Sequence, residues 1–178
     1  MTPWIGKLLK APREIGAIAP SSSFLGELMT ETLPRDASVL EIGPGTGAIT
    51  DHIVMRLASE SQLTLVELDE QFASHCRERF SKATVIWNDA ELFLQTEPRT
   101  YEYILSGVPF GAMGTDKHNR LLNLIHARLA PGGSLIMFQY SIRSYAELVQ
   151  RFDSVKMKFM PWNLPPAVVF VATTRRGS

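Results

Sequence analysis

The 178-residue chain holds one cysteine, carries no net charge and has no apolar run long enough to cross a bilayer. Each shortage excludes something. A lone Cys76 rules out an intramolecular disulfide framework and any cysteine-rich zinc site. Its setting in QFASHCRERF, at helical spacing from Phe72 and Phe80, points to a packed thiol. Eighteen Lys plus Arg against eighteen Asp plus Glu leave no bulk attraction for a polyanion, so nucleic acid is disfavoured as a partner. His52, His75, His118 and His126 lack ligand spacing; exposed or capping roles are expected of them, and no metal. The longest apolar stretch, AVVFVA, is strand-sized, and the lysine-interrupted start MTPWIGKLLKAPREIG lacks the apolar core of a secretory signal. Cytoplasmic residence is the expectation.

With 45% apolar and 20% charged residues, the composition is that of an ordinary globular domain. One domain over 1–178 is expected, with a helical segment at 1–36 and a core at 37–178. Thr2 and Pro3 open a first helix that stops before Pro12. Trp4, Ile5, Leu8 and Leu9 share one face of it while Lys7 and Lys10 lie opposite, a pattern suited to an anionic membrane surface or, alternatively, to packing over the ligand crevice. A second helix follows APSSSF, where a serine can cap, and carries Phe24, Leu25, Leu28 and Met29 on one stripe before Pro34. From Ser38 onward strands and helices alternate: SVLEIG, QLTLVEL, ATVIWN, YEYILS and SLIMFQY are strands, and helices run through Ile53, Cys76, AELFLQ and Leu121. A PGG turn precedes the fifth strand. Alternation of this kind predicts a mainly parallel sheet covered on both faces. SVKMKFMPW and AVVFVATTR are strands joined to each other without an intervening helix, which predicts an antiparallel pair at the sheet edge.

VLEIGPGTG, closing the first strand, carries the strongest chemical signal. At that turn an α/β sheet binds ligands, and Gly43, Gly45 and Gly47 let the backbone approach one closely. Glu41 aims a carboxylate near the loop, where it would repel a pyrophosphate and suit a cation. Pro44 gives up an amide that a phosphate cradle would use. Glu67 ends the second strand, where an acidic side chain accepts from ribose hydroxyls, and Asp89 follows the third, placed for an adenine amine or, alternatively, for capping the next helix. Adenine, ribose and a positive centre without phosphate describe S-adenosylmethionine.

The segments VLEIGPGTG, VELD, NDA and YILSGVPF, in that order, resemble class I S-adenosylmethionine-dependent methyltransferases. The resemblance implies a Rossmann-like fold with a mainly parallel seven-stranded sheet, an antiparallel C-terminal edge strand and two N-terminal helices. It also implies cofactor contacts from Ser21, Ser22, Leu68, Ala90 and Ser106 besides the glycines, Glu41, Glu67 and Asp89. PREIGAIAPSSSFL, SGVPF and NLPPAVVF are similar to bacterial phospholipid N-methyltransferases, which methylate phosphatidylethanolamine. The cofactor motifs resemble ribosomal RNA adenine dimethyltransferases as well, which carry a helical domain after the sheet where this sequence stops. In amine-methylating relatives the acceptor motif commonly reads Asn-Pro-Pro-Tyr or Asn-Leu-Pro-Tyr; Ser106 and Gly107 depart from it, which favours a lipid amine over a planar base.

For such an acceptor the chain must align a neutral amine with the methyl group and exclude water. Ser106 or the Val108 carbonyl is placed to hold the amine; Phe110 and Tyr140 either offer aromatic faces to a methylammonium or are, respectively, a plain core residue and a strand residue with its hydroxyl satisfied locally. Lys117, His118 and Arg120 follow the acceptor loop, either as phosphate contacts or as a solvated helix start. The expectation is therefore a phospholipid N-methyltransferase at the inner face of the plasma membrane, held there through the N-terminal helix. RNA adenine methylation, small-amine methylation and a non-catalytic cofactor-binding module remain open alternatives, and nothing in the sequence fixes the oligomeric state.

Overall fold

The computed structural model describes residues 20–108, 110, 113–161 and 166–177; the first expected helix lies outside them, as do the side chains of Ser21 and Ser22. Helix α1 spans Pro20–Thr30, strand β1 Val39–Ile42, α2 Ala48–Arg56, β2 Leu63–Glu67, α3 Glu70–Arg79, β3 Thr84–Trp87 and α4 Ala90–Thr96. Strand β4 (Tyr101–Ser106), α5 (Thr115–Ala127), β5 (Leu129–Gln139), α6 (Ser144–Val149), β6 (Ser154–Met160) and β7 (Ala167–Thr173) complete the order.

The seven strands form one sheet in the order β3-β2-β1-β4-β5-β7-β6. Strands β1 to β5 run parallel, and β7 is antiparallel to both β5 and β6. The expected antiparallel pair is therefore at the edge, with β6 outermost and β7 one place in. Period-two alternation divides the central strands between two cores. Leu40, Ile42, Ile104 and Met137 join Leu94 of α4, Leu121 of α5 and Leu148 of α6 on one face. Val39, Leu65, Leu105 and Val169 join Met29 of α1, Ile53 of α2 and Cys76 of α3 on the other.

Two local expectations change, and one unassigned segment gains a helix. The serines of PSSSF lie inside α1 and so cannot cap its start, and Phe24 is exposed while Leu25 and Met29 carry the buried stripe. The PGG segment lies within β5: Tyr101 pairs with Leu129 but Tyr103 with Ser134, so the extra residues bulge around Gly132, whose φ is 77°. A short helix, α6, stands between β5 and β6, placing Leu148 and Phe152 against the sheet.

Candidate active site

Because β2 lies on one side of β1 and β4 on the other, the strand order reverses at β1 and a crevice opens beyond its carboxyl end. The glycine loop fills that position. Gly43, Gly45 and Gly47 have φ of 72°, 56° and 82°, the left-handed region where a side chain is strained. Their surroundings differ. A Cβ on Gly47 would meet the Phe80 ring at 2.8 Å and one on Gly43 the Val108 side chain at 3.1 Å, whereas one on Gly45 meets nothing within 4 Å. Gly45 thus presents bare backbone to open space that a ligand can enter. Around it the loop is pinned: Gly43 N donates to Val66 O at 2.8 Å, Gly47 N to Pro44 O at 2.9 Å and Gly107 N to Ile42 O at 3.0 Å. Helix α2 begins on Gly47 with no side-chain cap.

Glu67 is buried and braces this loop. One carboxylate oxygen accepts from Gly45 N at 2.9 Å and the other from Asp69 N at 2.9 Å. Each oxygen keeps a further lone pair for a ribose hydroxyl. Glu41 lies under the loop, fully buried, with Thr50 Oγ1 donating to it at 2.7 Å. Burial pushes its pKa up to about 8, against the Thr50 hydrogen bond and with help from the negative Glu67 and Asp51. Buried and hydrogen-bonded to Thr50, it supports the loop from beneath rather than lining the crevice as the sequence suggested.

Asp89 caps α4, accepting from Glu91 N at 2.7 Å and Leu92 N, while its other oxygen takes Lys117 Nζ at 3.1 Å. Burial opposes its charge, but the Lys117 hydrogen bond and the two amides outweigh that and hold its pKa below the usual range. The capping alternative is therefore realised, and an adenine amine would have to share the carboxylate. Ala90 is half-buried at the start of α4. Leu68 is exposed, with Trp87 Nε1 donating to its carbonyl at 3.1 Å, so an apolar ledge borders the β2 side of the crevice.

At the acceptor end Ser106 closes β4, fully buried, its hydroxyl accepting from Val108 N at 3.3 Å. Two open readings are decided here. The Val108 carbonyl already accepts from Phe110 N at 2.9 Å and from Gln139 Nε2 at 3.2 Å, which fills its lone pairs. Phe110 is fully buried among core residues with its ring 5.1 Å from that of His118, so it offers no face to an acceptor. Tyr140, by contrast, is exposed and stands edge-on to Phe138 at 5.8 Å. The sequence reading missed Gln139, which ends β5 and fixes the acceptor loop; the signal was a polar residue breaking the apolar run SLIMF at a strand's carboxyl end. Lys117 and Arg120 pair with Asp89 and Glu91, tying α5 to α4 and leaving neither as a free phosphate contact. His118 is buried rather than exposed or capping, its Nε2 lying 2.9 Å from Glu147, and burial lowers its pKa.

A Rossmann-like sheet with an open glycine loop and a carboxylate ending the second strand defines a nucleoside-cofactor enzyme. The methyltransferase-domain family model matches residues 39–133, and the chain belongs to that family; its cofactor is S-adenosylmethionine. An ornithine lipid N-methyltransferase of Singulisphaera acidiphila is 29% identical over 174 residues, 92% of this chain and 91% of that one. A probable ribosomal RNA small subunit methyltransferase A of Haloarcula marismortui is 38% identical over 80 residues, covering 42% of this chain but only 26% of its own length. Among solved structures, a 16S rRNA methyltransferase of T. thermophilus with AdoMet and guanosine superposes with a TM-score of 0.72 at 25% identity, over 90% of this chain and 44% of that one. An N-methyltransferase of Bradyrhizobium japonicum in complex with S-adenosyl-l-homocysteine shares the fold at a TM-score of 0.69, over 94% and 97% of the two chains.

Proposed function

We propose that the chain is an N-methyltransferase whose acceptor is the amine of a lipid head group, phosphatidylethanolamine or an amino lipid of similar chemistry. The likeness to the ornithine lipid N-methyltransferase carries the reading, because it runs almost end to end in both chains, whereas the Haloarcula ribosomal RNA relative matches less than half of this one. Ser106 in place of an amide side chain, and a Val108 carbonyl already filled, leave little to grip a planar base by two hydrogen bonds. Both support an alkyl amine.

Bound S-adenosylmethionine supplies a methyl group on a positive sulfur, open to in-line attack. The chain's part is to bind, orient and desolvate. Gly45 leaves the space, Glu67 offers acceptors to ribose hydroxyls, and Leu68 gives an apolar ledge. A lipid ammonium, with an ordinary pKa of about 10.4, must lose its proton before its lone pair can attack, and partial desolvation beside Ser106 lowers that value. Tyr140 offers an aromatic face to the methylammonium that forms. The test compares vesicles containing phosphatidylethanolamine with vesicles of its N-acylated or fully trimethylated counterpart, using methyl-labelled cofactor. Label confined to the free-amine lipid supports the reading; equal labelling of the blocked lipids refutes nitrogen as the acceptor.

A further inference from the structure

The rim beside the acceptor loop carries a group of exposed apolar side chains. Ile142 is 66% exposed and Phe159 67%, and Tyr140, Tyr145 and Met157 are exposed with them. Topology gathers them at one end of the sheet. Gln139 pairs with Val168 and Val168 with Phe159, so Phe159 stands level with the residue that holds Val108, while Met157 lies two residues below on the same face. Tyr140 and Ile142 follow directly where β5 ends, and Tyr145 lies in the first turn of α6, which packs beside β6. Helix α6 has only 6 residues, too short to cover the face that β6 adds to the sheet.

Charge narrows the occupant. Within 139–161 the basic residues are Arg143, Arg151, Lys156 and Lys158, against Glu147 and Asp153. Asp153 pairs with Arg175, while Glu147 lies beside His118, whose pKa burial lowers, and so keeps its own charge. Arg143 and Lys156 are exposed and make no ion pair among the described residues. Lys156 shares the opposite face of β6 with Lys158, which pairs with Glu31, so Arg143 is the unpaired cation at the rim itself. Exposed aromatic and branched side chains beside an unpaired arginine match the boundary of an anionic bilayer, where tyrosine bodies enter the interface and basic heads meet lipid phosphates.

We infer that the rim formed by Tyr140, Ile142, Arg143, Tyr145 and Phe159 docks on an anionic bilayer and points the acceptor crevice at the head-group layer. The inference rests on the lipid reading for its purpose but is tested without any methyl acceptor. A crevice bordered by this rim meets an amine at the bilayer surface without the lipid leaving its leaflet.

The test uses the full chain and vesicles of phosphatidylglycerol and phosphatidylcholine, which offer no free amine. An Ile142→Cys variant labelled with an environment-sensitive fluorophore should shift to the blue and brighten on vesicle addition; an Arg56→Cys control, at the far end of α2, should not. The buried Cys76 stays unlabelled in both. A double variant, Ile142→Asp with Phe159→Asp, should lose vesicle affinity at least tenfold while its affinity for S-adenosyl-homocysteine is unchanged. No spectral shift at Ile142, or vesicle affinity equal to that of the unmodified chain, overturns the docking surface. The same holds if the double variant only converts a dimer to a monomer, since the rim would then join two copies. Vesicle docking by this rim without methylation of any lipid would instead remove the lipid-acceptor reading and leave the surface standing.

Discussion

Glu67 holds two loop amides as well as facing the crevice, so its removal acts on both the loop and the ligand. Glu67→Ala should weaken S-adenosylmethionine and its demethylated product alike by about 1–3 kcal/mol, the cost of losing hydrogen bonds to a charged acceptor. Calorimetry returning unchanged affinities would take Glu67 out of the site. Gly45→Val should be harsher for binding, because the side chain enters the open space at a φ of 56°. Glu41 makes a different prediction. Its folded pKa of about 8 exceeds the ordinary 4.5, so its contribution is intact below about pH 4.5, where both states are protonated, and is lost as pH rises towards 8. That loss is on the order of 4 kcal/mol across the window, and Glu41→Gln should flatten it. Urea midpoints at about pH 5 and about pH 8.5 decide the matter: an equal slope in both proteins would show that Glu41 ionises without penalty. Residues at this scale were partly legible. The glycines, Glu67 and Asp89 follow from their places in the sequence, but whether a carboxylate is charged depends on burial, and no spacing reveals that Glu41 sits under Thr50 rather than in the crevice.

At the scale of elements, Asp89 shows one side chain serving a helix before it serves a ligand. Asp89→Ala should lower stability by about 1 kcal/mol without cofactor, through the lost cap of α4, whereas Asp89→Asn should keep the cap and lose the Lys117 pairing. If chemical denaturation shows no difference between Ala and the parent, the cap is not contributing. Phe110→Ala should cost about 3–5 kcal/mol as an emptied core position, lowering cofactor affinity and turnover together through loosened packing. A turnover loss at full stability would return Phe110 to the acceptor. Strands β1 to β5 were legible because strand-sized segments rich in branched and aromatic residues alternate with helix-patterned ones. Helix α6 was not, since SYAELV is short and owes its helicity to Leu148 meeting the sheet. Phe110 stays open in the sequence between core and acceptor, because its burial depends on His118 and the core from distant segments closing around it.

For the whole molecule, the sheet sets cofactor and acceptor loop at the same strand ends, with Gln139 linking β5 to the loop after β4. Chain reversal at β1 makes the crevice, and the exposed rim of β5, α6 and β6 lies beside it. Methyl transfer to a lipid amine is the claim on which this arrangement is read. The direct measurement offers the purified full chain methyl-labelled S-adenosylmethionine together with ethanolamine and ornithine lipid vesicles, undermethylated ribosomal RNA and small soluble amines, then separates the fractions. Label in the lipid fraction, abolished by Gly45→Val, is the predicted result; label in RNA or in the soluble amines with none in lipid would contradict it.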